Sequence, residues 1–256
     1  MTPRSAALTS VSNAPRVEGI VINGNGANQA SGTGVGVAFC SYRGEVLRCR
    51  INDTRGDGIR ITNMSANGSA VTGTCVECKI MDNTLAGCGT GNLSSNREGI
   101  ALRDSGAVVV TDFWIERNVV WEGALAETHG MGIYCNSSSG GVVSENHLYG
   151  IGTHGIYMTG GNSTRITNNY IEYFGQLASF GVCYGIYAVD SGSGPGMHIS
   201  GNTINIDRAI TGPRLRGLAG HRPRQRPAGR AGQRCLQHRR AFVTGIASAA
   251  RIRLAP

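Results

Sequence analysis

The chain has 256 residues, of which 39 are glycine, 40% are hydrophobic and only 16% are charged, enough material for a core that stands without disulfides or metals. No apolar run approaches the roughly 18 residues of a membrane-spanning helix. The formal charge of +8 does not assign nucleic acid as a partner either, because residues 1–212 hold 13 basic residues against all 16 acids, while residues 213–256 hold 11 arginines and no acid.

Residues 1–16 show no apolar periodicity and lack the apolar run of about 7 to 15 residues of a secretory signal, so they are expected to form a poorly ordered lead. An aliphatic triplet at Val17, Ile20 and Ile22 comes next, followed by a Gly-aliphatic fragment, GVAF, beginning at Gly36. This pairing recurs. The triplet reappears as Val46, Cys49, Ile51 and then GIRI; as Cys75, Cys78, Ile80 and then GIAL; and as Ile115, Asn118, Val120 and then GIYC. It continues as Val143, Asn146, Leu148 and then GIYM; as Ile166, Asn169, Ile171 and then GIYA; and as a last triplet, Ile199, Asn202, Ile204.

The final aliphatics fall at 22, 51, 80, 120, 148, 171 and 204, steps of 23 to 40 residues that signal a solenoid with insertions. Within each fragment apolar residues alternate with period two, are rich in Val and Ile, and are bounded by Gly, Asn and Ser, which predicts strands. Strands this short bury a face only by stacking, at about 4.8 Å per rung. The corner Asn is expected to take a left-handed backbone conformation, with Cys49 and Cys78 in the same corner column.

On these triplets the chain resembles right-handed parallel β-helices of the pectate-lyase-like superfamily, in which Asn residues form a ladder at one corner. The resemblance implies an all-β solenoid of about six to seven coils over residues 17–211. That scaffold serves lyases, hydrolases, epimerases, phage tailspikes and surface proteins, so it does not by itself imply an activity.

One place before each Gly-aliphatic fragment stand Val35, Asp57, Glu98, Met131, His154 and Tyr184. Neighbouring rungs place Asp57 and Glu98 roughly 5 Å apart, the separation at which two carboxyl groups act as acid and nucleophile on a sugar, and His154 lies two rungs beyond. The column resembles that of polygalacturonases, which implies catalytic roles for Asp57, Glu98 and His154. The family's surrounding residues are absent around "GDGI", "REGI", "THGI" and "CYGIYAV". The plain alternative is that these are turn residues aimed at the aliphatic face, and their exposure discriminates: exposed carboxylates favour an enzyme, buried ones a binder.

Between the two apolar positions of each fragment run Ala38, Arg60, Ala101, Tyr134, Tyr157 and Tyr187. Stacked Tyr134, Tyr157 and Tyr187 suit sugar rings and hydroxyls or simply stabilise adjacent strands. Arg60, Arg97 and Arg103 suit the carboxylates of an acidic glycan or form a solvated face. Several lyases of the superfamily hold calcium, and Asp53, Asp57, Glu98 and Asp104 could supply oxygens; because no loop concentrates three acids, no cofactor is expected, with calcium as the alternative. Cys75 and Cys78 in "CVEC" lack the second ligand pair of a zinc site.

The sequence is therefore read as a carbohydrate-active β-helix that cleaves or modifies an acidic polysaccharide, with a non-catalytic glycan-binding or structural solenoid as the alternative. Loops 81–99, 121–132 and 172–185 are expected to wall the groove. The expected partner is a polysaccharide, with no nucleic acid or membrane, and the expected setting of the parent protein is extracellular or on a phage particle. Residues 212–256 break the repeat abruptly and consist largely of Arg, Ala, Gly and Pro; they are read as a lost reading frame in a GC-rich gene, against a disordered extension or a nucleic-acid-binding tail.

Overall fold

The structure, a computed structural model, describes residues 14–29, 34–62, 75–89, 98–103, 110–121, 130–136, 138–175, 183–189 and 196–205. Most of the 1–16 lead and all of the 212–256 tail lie outside the described residues.

The alternating aliphatics form strands of three or four residues, and the strands form three sheets of seven, seven and six members. Every neighbouring pair is parallel and in register, so each coil of this β-helix adds a strand to each sheet, the last coil only to the first two among the described residues. In the third sheet Ile59 pairs with Ile100 and Ile100 with Ile133, followed by Ile156 and Ile186. Ile59, Ile100, Ile133 and Ile156 have no exposed surface. Each such side chain contributes about 1.5–3 kcal/mol on burial, and this interior file is what lets three-residue strands persist.

The corner ladder explains the Asn recurrence. Asn118 Nδ2 donates to Ile80 O at 2.9 Å and to Asn146 Oδ1 at 3.0 Å, while Asn146 Oδ1 also accepts the Asn118 backbone N–H. Asn83, Asn146 and Asn169 repeat the same bonds with their own neighbours. Both amide protons and both acceptor positions are therefore used, which is the condition for burying a carboxamide.

Three expectations are corrected. The third triplet is Ile80, Asn83, Leu85 rather than Cys75, Cys78, Ile80: Ile80 pairs with Val46, and Leu85 with Ile51. Both sets obey the same spacing, and the amide of Asn83 decides between them, because it continues the ladder as a thiol cannot. Cys49 does occupy the corner below, its N–H donating to Asn83 Oδ1 at 2.9 Å. Cys78 sits elsewhere, its thiol facing Ser41 O at 3.4 Å, so Cys49 and Cys78 do not share a column.

The left-handed conformation falls on the residue before the corner, at Arg48, Asp82, Arg117, Glu145 and Asn168, with φ between 52° and 59°. The turn is made there, which frees the following Asn to spend its side chain on the ladder. The Gly preceding each interior aliphatic has a different cause: a Cβ on Gly58 would lie 2.5 Å from Leu85 Cδ2 and 2.7 Å from Gly99 O.

Candidate functional site

The site column forms as expected, held by backbone bonds from each Gly to the preceding position one rung on: Gly36 N to Asp57 O, Gly58 N to Glu98 O, Gly132 N to His154 O and Gly155 N to Tyr184 O. The spacing thus places Asp57 above Glu98, but both carboxyls are covered. Neither has exposed surface.

Asp57 is the hub of a charge cluster. Its Oδ1 accepts the Glu98 N–H at 2.9 Å, and its Oδ2 accepts Arg60 Nε at 2.5 Å and Arg103 Nε at 3.1 Å. Arg103 Nη2 also bonds Glu98 Oε2, while Glu98 Oε1 is buried with no hydrogen-bond partner among the described residues. Arg60 and Arg103 keep 25% and 18% of their side-chain surface exposed, so the guanidinium groups roof the acids.

The two acids part company in protonation. Burial raises the Asp57 pKa, but the Arg103 and Arg60 charges and their hydrogen bonds outweigh it and hold the carboxyl below the usual range. Glu98 is pushed well above its usual value, first by burial and then by the Asp57 charge, with Arg103 opposing. Two guanidinium groups thus face two carboxyls, of which Asp57 holds its charge the more firmly and Glu98 takes up a proton the more readily.

Beyond the arginines the outer face becomes aromatic. Arg103 lies over the Tyr134 ring, 5.0 Å from its centroid. Tyr134 stacks on Tyr157 at 5.7 Å and 20°, and Tyr157 on Tyr187 at 4.6 Å and 13°, following the register of the strands. Because the rings lie on one another, they turn edges and phenol hydroxyls outward and keep most of their faces for each other. His154 joins this half, 5.2 Å from Tyr157 and 5.5 Å from Tyr184. Its Nδ1 accepts the Tyr184 N–H at 3.0 Å, and burial lowers its pKa to about 4.

The structure thus brings Asp57, Glu98, Arg60 and Arg103 together, and separately His154 with Tyr157 and Tyr187; Tyr134 joins the halves through Arg103. His154 does not reach the acids. Arg97 lies outside the described residues, as do Asp104 and much of the expected walls at 81–99, 121–132 and 172–185. Within the first of these walls, Thr84–Ala86 is a strand of the second sheet.

Calcium does not fit the Asp57 and Glu98 pair: the Asp57 oxygens are engaged by arginines and an N–H, and Arg103 holds Glu98. Among the described residues no group of three or more His, Cys, Asp or Glu could hold a metal.

Sequence reasoning did not assign a role to Tyr184, and it missed an outer cluster on the second sheet. There Trp121 stacks on Tyr149 at 5.8 Å, and His147 Nε2 lies 3.1 Å from Glu172 Oε1. The signal was present as aromatics flanking the interior residues Val120 and Leu148.

Against known proteins, a family described as right-handed beta helix region matches residues 60–204. No curated protein matches the chain. Among solved structures the chain is similar to the Dettilon tailspike protein at 13% identity and a TM-score of 0.40, covering 67% of this chain and 37% of that one. The chain therefore spans well under half the length of that protein.

Proposed function

The chain belongs to the right-handed β-helix family, and on that premise we propose that it engages an acidic polysaccharide along the outer face of its third sheet. The observation that carries this reading is the continuous file from Arg60 and Arg103 to Tyr134, Tyr157 and Tyr187. Guanidinium groups that roof the cluster and stay partly open to water suit a sugar carboxylate. The hydroxyl edges of the tyrosines suit saccharide hydroxyls, and their ring edges suit its C–H faces.

Cleavage is the second reading, favoured by one feature: adjacent carboxyls whose pKa values are pushed in opposite directions, the arrangement that divides acid from base. For Asp57 and Glu98 to touch a sugar, the side chains of Arg60 and Arg103 must first move aside, as they would if a polymer carboxylate drew them outward. Binding requires no such step, and so it is the primary reading.

Affinity electrophoresis of the full chain through gels containing polygalacturonate, alginate, hyaluronan or neutral dextran tests the proposal. Retardation by a uronate polymer and not by dextran is expected, and it should be lost in Arg60→Gln. Equal mobility in all four gels would end the proposal. New reducing ends or absorbance from an unsaturated product, abolished by Glu98→Gln, would promote the cleavage reading.

A further inference from the structure

The thiols of Cys40 and Cys75 face each other across adjacent coils at 3.3 Å between sulfurs, although 35 residues separate them in sequence. We propose that Cys40 and Cys75 are a disulfide-forming pair, a modification site that staples the second and third coils on oxidation.

Three further contacts hold the pair in register. Tyr42 and Val76 form a parallel bridge, Arg43 N donates to Val76 O at 2.8 Å, and Arg43 Nε lies 2.5 Å from Glu77 Oε2. The backbone just beyond each cysteine is thus fixed, and neither thiol can drift away from the other. A disulfide has sulfurs about 2.05 Å apart, so closure needs only about 1.3 Å of approach, within reach of small side-chain rotations.

The two thiols differ in access, which sets the order of steps. Cys40 is half-buried and meets an external oxidant first, whereas Cys75 is buried and burial raises its pKa. With glutathione disulfide as oxidant, the Cys40 thiolate attacks one glutathione sulfur, forming a mixed disulfide and releasing one glutathione. The Cys75 thiolate then attacks the Cys40 sulfur and releases the second. Two protein thiols are oxidised, one glutathione disulfide is reduced to two glutathiones, and the two thiol protons end on the released glutathiones.

The staple also bears on the candidate site. Cys75 Sγ approaches Thr62 O at 3.6 Å, and Thr62 ends the strand that carries Arg60. Residues 63–74, which lie outside the described residues, join these two points. The bridge therefore forms next to the end of the strand that carries Arg60.

The test is peptide mapping of the full chain under non-reducing conditions, after equilibration with reduced or oxidised glutathione and alkylation of the remaining thiols. A cross-linked Cys40–Cys75 peptide lacking two hydrogens is expected after oxidation only, with a higher thermal midpoint that dithiothreitol reverses. In Cys40→Ala, Cys75 should be recovered alkylated on unfolding. Recovery of Cys40 and Cys75 both alkylated from folded, oxidised protein would overturn the proposal. So would Cys75 joined to Cys78 or to any cysteine other than Cys40. Circular dichroism confirms that each sample is folded, so that a negative result counts.

Discussion

The carboxylate of Asp57 accepts the backbone N–H of Glu98 at 2.9 Å, so one acid ties the start of the next coil while burial shifts the other toward its protonated form. Removing the charge of Asp57 leaves Arg60 and Arg103 without their shared anion. Asp57→Asn should therefore destabilise the chain by about 3–5 kcal/mol, the usual result of breaking one side of a buried pair. Glu98, whose pKa burial raises, depends less on its charge, so Glu98→Gln should cost under about 1.5 kcal/mol. Urea unfolding of both variants checks the asymmetry; equal losses would show that Glu98 is ionised.

The same two groups set opposite pH limits. Asp57 has a depressed folded pKa, so its contribution is present above the unfolded value of about 3.9 and fades as pH falls through the lower folded value. Glu98 has a raised folded pKa, so stability is fully present below its unfolded value of about 4.3 and is lost as pH rises through the folded value. Glu98→Gln should flatten the alkaline limb of the stability curve and leave the acid limb unchanged. Chemical denaturation at stepped pH is the measurement.

His154 gives a third, separable signature. Its folded pKa of about 4 lies below the unfolded value of about 6.5, so the unfolded chain binds more protons between these values and stability falls as pH drops across that window. His154→Asn keeps an acceptor for the Tyr184 N–H and removes the titration. Between about pH 4 and 6.5 the variant should therefore hold its stability where the parent chain loses it.

The Asn ladder predicts position-dependent costs. Asn146 accepts from Asn118 and donates to Ile115 O at 2.9 Å and Asn169 Oδ1 at 2.9 Å, all within the buried stack. Asn146→Ala leaves several of these groups unpaired, at about 1–3 kcal/mol each, and should reduce stability by at least about 3 kcal/mol. Asn202 lies at the half-exposed end of the described ladder and supports one neighbour, so Asn202→Ala should cost about half as much. Equal costs would show that the stack is not cooperative.

The coil itself was legible because the interior files are a one-dimensional code: Ile59, Ile100 and Ile133 share a spacing, a chemistry and a neighbouring Gly. Register failed at Cys75–Leu85, where two overlapping triplets obey the same spacing and only the hydrogen-bonding capacity of Asn83 separates them. The site was legible as columns but not as orientations. Alternation places Asp57 and Glu98 one before Gly without showing that Arg60 and Arg103 close over them, because that depends on side-chain reach across rungs. Neither the sequence nor its periodicity pointed to Cys40 as a partner for Cys75, since Cys40 lies outside every triplet.

Tyr157 sits at the middle of the aromatic file, with Tyr134 on one side and Tyr187 on the other, and it separates the two ways in which a tyrosine can serve a polysaccharide. Tyr157→Phe preserves both stacks and removes only the outward hydroxyl. If that hydroxyl bonds the ligand, the loss corresponds to a hydrogen bond of about 0.5–1.5 kcal/mol, or roughly 2- to 13-fold in affinity. Tyr157→Ala removes the ring edge as well and leaves a gap between Tyr134 and Tyr187, so its loss should exceed that of the Phe variant by a further factor of about 2 to 13, the equivalent of an aromatic pair at about 0.5–1.5 kcal/mol. Calorimetric titration with the uronate polymer that retards the parent chain gives both numbers. A Phe variant that binds as tightly as the parent, beside an Ala variant that is less stable but binds equally well when folded, would assign the file to strand cohesion alone and leave recognition to the arginine end.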